Sequence, residues 1–183
     1  MESFPASVGE AEEVSMKQLK NILRSSAVLL AVLAVLVIPV TAAAIDDADA
    51  LKGVTVGKAV FDVNLGDAGK LALYLSVIKE THEGLVKQGV KPDLLMAFRG
   101  PSVLLISTNR EKIPADQQAK YDEVAKLIKE LKGLGVKLEA CSIATRVMKV
   151  DNATIYPEIK VIGNTFISLM GYQRNGYAYV PVF

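Results

Sequence analysis

The chain is predicted to fold as an α/β protein: one three-layer sandwich around a mostly parallel sheet of four or five strands, preceded by a hydrophobic N-terminal segment. Three observations predict this. Short apolar runs bounded by Gly, Pro or Asn alternate with longer amphipathic stretches of helical period. The connections are long and helical, which calls for parallel pairing and right-handed crossovers. Finally, 183 residues at 51% hydrophobic and 22% charged supply one ordinary core plus an unusually apolar segment.

That segment is Ala27-Val-Leu-Leu-Ala-Val-Leu-Ala-Val-Leu-Val-Ile-Pro-Val40. It is shorter than the roughly 20 residues of a membrane span. Lys17, Lys20 and Arg24 precede it and Thr41-Ala-Ala-Ala44 follows, the basic, apolar and small-residue order of a secretory signal. Residues 1–44 are therefore expected to be an export signal, with a bacterial periplasmic destination, and 45–183 the folded domain. The alternative is an uncleaved membrane anchor over residues 25–45. Met1 to Val14 carries acids and no base, so Met16 is an alternative start.

Within the domain, Lys58 to Asn64 reads as the first strand, and Asn64-Leu-Gly-Asp-Ala-Gly69 as a turn into a helix. Leu71, Tyr74, Leu75, Ile78, Leu85 and Val86 recur at helical spacing until Gly89. Leu94 to Phe98 is a buried strand, closed by the turn Arg99-Gly-Pro101. Val103 to Ile106 is a short helix leading into the polar loop Thr108 to Asp116. Gln118 to Leu134 is a second amphipathic helix, ended by Gly133 and Gly135. Val136 to Ala140 is a third strand, Ser142 to Val150 a short helix, and Thr165 to Gln173 a further helix or turn. Gly176 to Pro181 reads as the last strand, with Pro181 favouring an end or an edge.

Composition and motifs exclude several functions. Lys plus Arg number 21 against 20 Asp plus Glu. The basic residues are scattered without interleaved aromatics, so no nucleic-acid partner is expected. Gly66-Asp-Ala-Gly69-Lys70 lacks a phosphate loop's first Gly, with Asn64 there, and its magnesium-binding hydroxyl, with Leu71 there. His82 is the only histidine and lies along the apolar stripe of the first helix, a packing position. With one Cys and one His there is no zinc ligand set, and neither metal nor cofactor is expected. No Gly-x-Ser-x-Gly elbow is present, and Asn152-Ala-Thr154 reads as a turn.

Cys141, the only cysteine, falls at the carboxyl end of the third strand, where α/β sheets collect ligands and reactive groups. In the first turn of the following helix, free backbone N–H groups and the helix dipole favour a thiolate. Read from spacing alone, a small buried hydrophobe stands equally open. Arg146 reaches back to the sulfur only if the local backbone departs from regular helix. Asn64, Arg99, Gly100 and Ser142 also fall at strand ends and are candidate lining for one crevice.

Four segments together resemble the DsrE/DsrF-like family: Val60-Phe-Asp-Val-Asn-Leu-Gly-Asp67, Phe98-Arg-Gly-Pro101, Leu134-Gly-Val-Lys-Leu-Glu-Ala-Cys-Ser-Ile-Ala-Thr-Arg146 and Gly171-Tyr-Gln-Arg-Asn-Gly-Tyr-Ala-Tyr-Val-Pro181. The resemblance covers nearly everything after Gly57. It implies a homo-oligomer, a trimer or hexamer, and a cysteine at the position of Cys141 that carries sulfur as a persulfide between donor and acceptor thiols. The export signal and the polar insertion Thr108 to Asp116 set this chain apart from the cytoplasmic sulfur-relay members. Two functions are thus expected. One is a sulfur carrier using Cys141; the other is a noncatalytic oligomeric binding or assembly module with a structural cysteine. A thiol–disulfide oxidoreductase comes third, because the resolving cysteine is missing.

Overall fold

The computed structural model describes Met16, Lys20, Asn21 and residues 45–183. The chain divides into two units, Met1–Asp46 and Asp47–Phe183, and the second carries the fold. The expected signal over 1–44 and the alternative anchor over 25–45 lie outside the described residues, apart from Met16, Lys20, Asn21 and Ile45. No helix among the described residues is long and apolar enough to cross a membrane.

The elements follow in the order β1 (Val56–Val63), α1 (Ala68–Lys87), β2 (Lys91–Phe98), a 3₁₀ turn (Gly100–Leu104), α2 (Gln118–Gly133), β3 (Lys137–Cys141), α3 (Ser142–Val147), β4 (Lys160–Ile162), α4 (Thr165–Arg174) and β5 (Ala178–Val182). The five strands form one sheet in the order β4-β3-β2-β1-β5. All four pairings are parallel. β1 and β2, nearest the middle, end in runs of buried residues, as strands covered on both faces require.

The two faces are covered unequally. α1 starts where Asp67 accepts a hydrogen bond from the Lys70 N–H at 2.7 Å, and it buries Leu71, Leu75 and Ile78. α2 buries Val124, Leu127, Ile128 and Leu131 beside it. These side chains meet Phe61, Val63, Leu94, Met96, Phe98 and Leu138 of the sheet in the main core. On the opposite face Leu169 of α4 joins Val60, Leu95, Ala97 and Tyr177 in a much smaller apolar cluster.

Polar contacts do more of the work on that thinner face. Side chains alternate along β3, so Leu138 and Ala140 enter the main core while Glu139 points towards α4 and Lys137 towards Tyr177 beyond it. Glu139 accepts hydrogen bonds from the hydroxyls of Ser168 and Tyr172, the second at 3.1 Å. Burial and that carboxylate push the Tyr172 phenol up to about 12. Lys137 donates to Asp93 at 2.7 Å and to Tyr177 at 2.9 Å, and the Tyr177 hydroxyl donates to Asp93 at 2.7 Å.

Most expected elements are present, with shifted ends. β2 begins at Lys91 rather than Leu94, because pairing with β1 extends back to Val56. Of the stretch Val103 to Ile106, only Val103 and Leu104 are helical, at the end of a 3₁₀ turn that starts at Gly100 and stops at Leu104. α3 ends at Val147, three residues early, where Lys149 turns the chain with φ 56°. β4 was not expected from the sequence. Its three residues are too few to show a period, and only pairing with β3 defines it.

Ile128 is fully buried between α2 and the sheet. Ile128→Ala is expected to cost about 2–5 kcal/mol, read as a lower midpoint in urea at unchanged slope.

Candidate functional site

β3 and β2 run side by side with Phe98 opposite Ala140, so their carboxyl ends open at the same edge of the sheet. The first residue beyond β2 is Arg99 and the last of β3 is Cys141. On the other side of β3, Cys141 pairs with Ile162 at the end of β4, and the chain turns through Gly163 and Asn164 into α4. Asn164 caps that helix, accepting from the Phe166 N–H at 2.9 Å. The first residue of α4, Thr165, is therefore delivered to the side of the cysteine.

Cys141 is the N-cap residue of α3, with extended backbone at φ −76° and ψ 116°. Burial pushes its thiol pKa up. The N–H and hydroxyl of Thr165 and the N–H groups of Ala144 and Ile143 more than offset this and hold the thiol below its ordinary value. Thr165 is 1% exposed, and its hydroxyl has no hydrogen-bond partner among the described residues. The Cys141 sulfur is the ionisable group on which that hydroxyl acts. A buried hydroxyl without an acceptor costs on the order of 1–3 kcal/mol, and a negatively charged sulfur removes that deficit.

Cys141, buried at 6% exposure, borders a cleft of about 270 Å³ that is also lined by Arg99, Gly100, Ile143, Ala144, Val147, Met148, Asn164, Thr165 and Phe166. Arg99 is held from behind. Its Nε donates to Asp62 Oδ1 at 2.6 Å and its Nη2 to Oδ2 at 2.8 Å, a bidentate pair with a carboxylate that is 1% exposed. The Tyr179 hydroxyl donates to the same Oδ2 at 2.6 Å. The guanidinium lies 5.6 Å from the ring centre of Phe166 and 5.9 Å from that of Phe183. Gly100 follows at φ 55°, where a Cβ would collide with the Asn64 side chain, so the turn beside Arg99 requires glycine.

Of the residues expected to share a crevice, Arg99 and Gly100 line the cleft with Cys141. Asn64 packs against Gly100 without being part of the lining. Ser142 is turned away, its hydroxyl donating to the Gly163 carbonyl at 2.9 Å. Arg146 is exposed on the outer side of α3, because that helix is regular and carries it away from the sulfur. Four further residues build the site without a sequence signal of their own: Thr165 and Phe166 in the lining, and Asp62 and Tyr179 behind Arg99. Asn164 before an apolar stretch is a capping signal for α4. That this helix start meets Cys141 depends on β4, which has no sequence signature of its own.

Among the described residues no grouping of His, Cys, Asp and Glu could hold a metal ion. What the fold and cleft define is a parallel α/β domain with one buried thiol, Cys141, bordering a cleft at the carboxyl ends of the strands. The profile of the DsrE/DsrF-like family matches residues 58–182, and the chain belongs to that family. An uncharacterized protein of Aquifex aeolicus (strain VF5) is 30% identical over 125 residues, which are 68% of this chain and 55% of the relative. The match thus spans about half the length of that relative.

Two solved structures share the fold. A protein of unknown function from Methanobacterium thermoautotrophicum, MTH1491, superposes with a TM-score of 0.55 at 18% identity, covering 68% of this chain and 98% of its own. The ychN protein from E. coli gives 0.50 at 14% identity, covering 70% of this chain and all of its own. At such identities the likeness concerns the fold alone.

Thr165→Val keeps the shape of the side chain and removes the hydroxyl that supports the charged sulfur. The inflection in the pH profile of iodoacetamide labelling at Cys141 is expected below that of a free cysteine in the unaltered chain, and higher in the variant. An unmoved inflection would show that the hydroxyl does not act on the thiol.

Proposed function

We propose that this domain is a sulfur carrier in which Cys141 holds sulfane sulfur as a persulfide. The observation that carries the reading is the convergence of three N–H groups and the acceptorless Thr165 hydroxyl on a buried thiol that borders a cleft. Such a setting lowers the thiol pKa and so raises the share of thiolate, which is the nucleophile in sulfur exchange. Membership of a family with sulfur-relay members supports the same chemistry.

The steps balance without an outside oxidant. The Cys141 thiolate attacks the outer sulfur of a donor R–S–SH, the donor S–S bond breaks, and RS⁻ leaves with the electron pair. Cys141–S–SH then loses its proton. An acceptor thiolate attacks the outer sulfur of this persulfide, forms its own S–S bond and releases the Cys141 thiolate. With the apolar N-terminal segment read as an export signal, donor and acceptor are small sulfur species or exported thiol proteins.

A second reading, an assembly module, is favoured by one observation. Phe166, Ile167 and Met170 are each more than 60% exposed along α4. That face fits a homo-oligomeric contact, which is compatible with carriage at the neighbouring cleft. Ile167→Lys is then expected to lower the mass of the assembly by light scattering.

Incubation of the purified chain with thiosulfate or a persulfide donor is expected to add about 32 Da per sulfur to the intact mass. Cys141→Ser is expected to abolish the gain. A chain that gains no sulfur from any of these donors, while its thiol still labels, is not a carrier.

A further inference from the structure

We propose that the Cys141 cleft takes its sulfur from a small anionic donor, with Arg99 binding the donor's charge and Asp62 and Tyr179 holding Arg99 in place. The inference rests on the sulfur-carrier reading and names the class of donor.

Only part of the guanidinium is in use. Asp62 occupies Nε and Nη2, and Nη1 has no hydrogen-bond partner among the described residues. The ion pair is also lopsided in exposure: the Arg99 side chain is 21% exposed and that of Asp62 1%. The cleft therefore meets the positive end of the pair and not the negative one. Much of the remaining wall is apolar, from Ile143, Val147 and Met148. Water excluded by such walls leaves a charge–charge contact stronger than on an open surface.

Arg99 has no other evident use on this side. The donors that stabilise the sulfur come from Thr165, Ala144 and Ile143, and Arg99 is not among them. A purely structural ion pair would be satisfied by the inner edge of the guanidinium. Its outer edge instead shares a cleft of about 270 Å³ with the thiol, space for a donor of a few heavy atoms. Rigidity makes it selective. Two hydrogen bonds to a buried carboxylate, a tyrosine fixing that carboxylate and two flanking rings leave the guanidinium little freedom to swing away.

Thiosulfate is the simplest donor of this class. The Cys141 thiolate attacks its outer sulfur, the S–S bond breaks, and sulfite leaves with the electron pair. The products are Cys141–S–S⁻ and SO₃²⁻, with charge and electrons conserved. Negative charge grows on the oxygen-bearing group as the bond breaks, and that is where a fixed guanidinium acts.

Cys141 is the only thiol in the chain, so its reactivity can be read directly. The experiment compares labelling by iodoacetate, an anion, and iodoacetamide, a neutral reagent of nearly the same size, each normalised to free cysteine. The unaltered chain is expected to favour the anion about tenfold, with the preference shrinking as sodium chloride rises. Arg99→Gln is expected to remove it, and Tyr179→Phe, which loosens the carboxylate, to reduce it about threefold. Arg146→Gln, outside the cleft, is expected to retain it.

A normalised ratio near one in the unaltered chain, or a preference that survives Arg99→Gln, would overturn the proposal. Should Arg99→Gln fail to fold with Asp62 left unpaired, the salt dependence of the unaltered chain decides: a preference insensitive to salt overturns the charge role. Sulfur loading is weighed separately, so absence of the adduct counts against the carrier reading and leaves the anion preference to be judged on its own ratio.

Discussion

Asp62 is a carboxylate in the interior of the protein, and the carboxyl edge of the sheet is arranged around its need for partners. It lies on β1, opposite Ala97 of β2 and Pro181 of β5. Arg99, immediately after β2, and Tyr179, within β5, supply three hydrogen bonds between them. One buried charge thus ties three neighbouring strands together. Removing one partner of such a pair costs roughly 3–5 kcal/mol, against a total of about 5–15 kcal/mol for an ordinary domain. The same contact fixes the direction of the guanidinium that borders the thiol.

The cleft is then a consequence of register. β2 and β3 end level with one another, so Arg99 and Cys141 emerge side by side. β4 ends level with Cys141, so the chain turning into α4 brings the Thr165 N–H and hydroxyl to the sulfur. No cleft-lining side chain has to be reached from a long loop. The site rests on strand ends and helix starts, which hold donors near an atom more precisely than loops do.

Much of the fold was legible in the sequence because its signals are local. Leu71, Leu75 and Ile78 recur at helical spacing, Leu94 to Phe98 is an unbroken apolar run, and Gly89 and Gly135 mark helix ends. The position of Cys141 was legible for the same reason, since a strand pattern stops where a helix begins. The partners of the thiol were not. Thr165 lies far along the chain and reaches the sulfur through a three-residue strand that only pairing defines. Asp62 and Tyr179 sat inside segments read as strands, where side-chain alternation tells which face a residue takes but not which charge it meets. Arg146 looked plausible by sequence proximity, and a regular helix turned it outward.

Both borders of the sheet resist the addition of a further strand. At one border β4 has only three residues to offer. At the other, the Val182 carbonyl bonds the Asn64 N–H, so alternation turns the Pro181 nitrogen outward, where it has no hydrogen to donate. Neither border is a good template for an added strand. Growth by strand addition, the route to fibrous aggregates, is blunted on both sides, which leaves the broad surface of the sandwich, where α4 displays exposed apolar side chains beside the thiol, as the face open to another molecule.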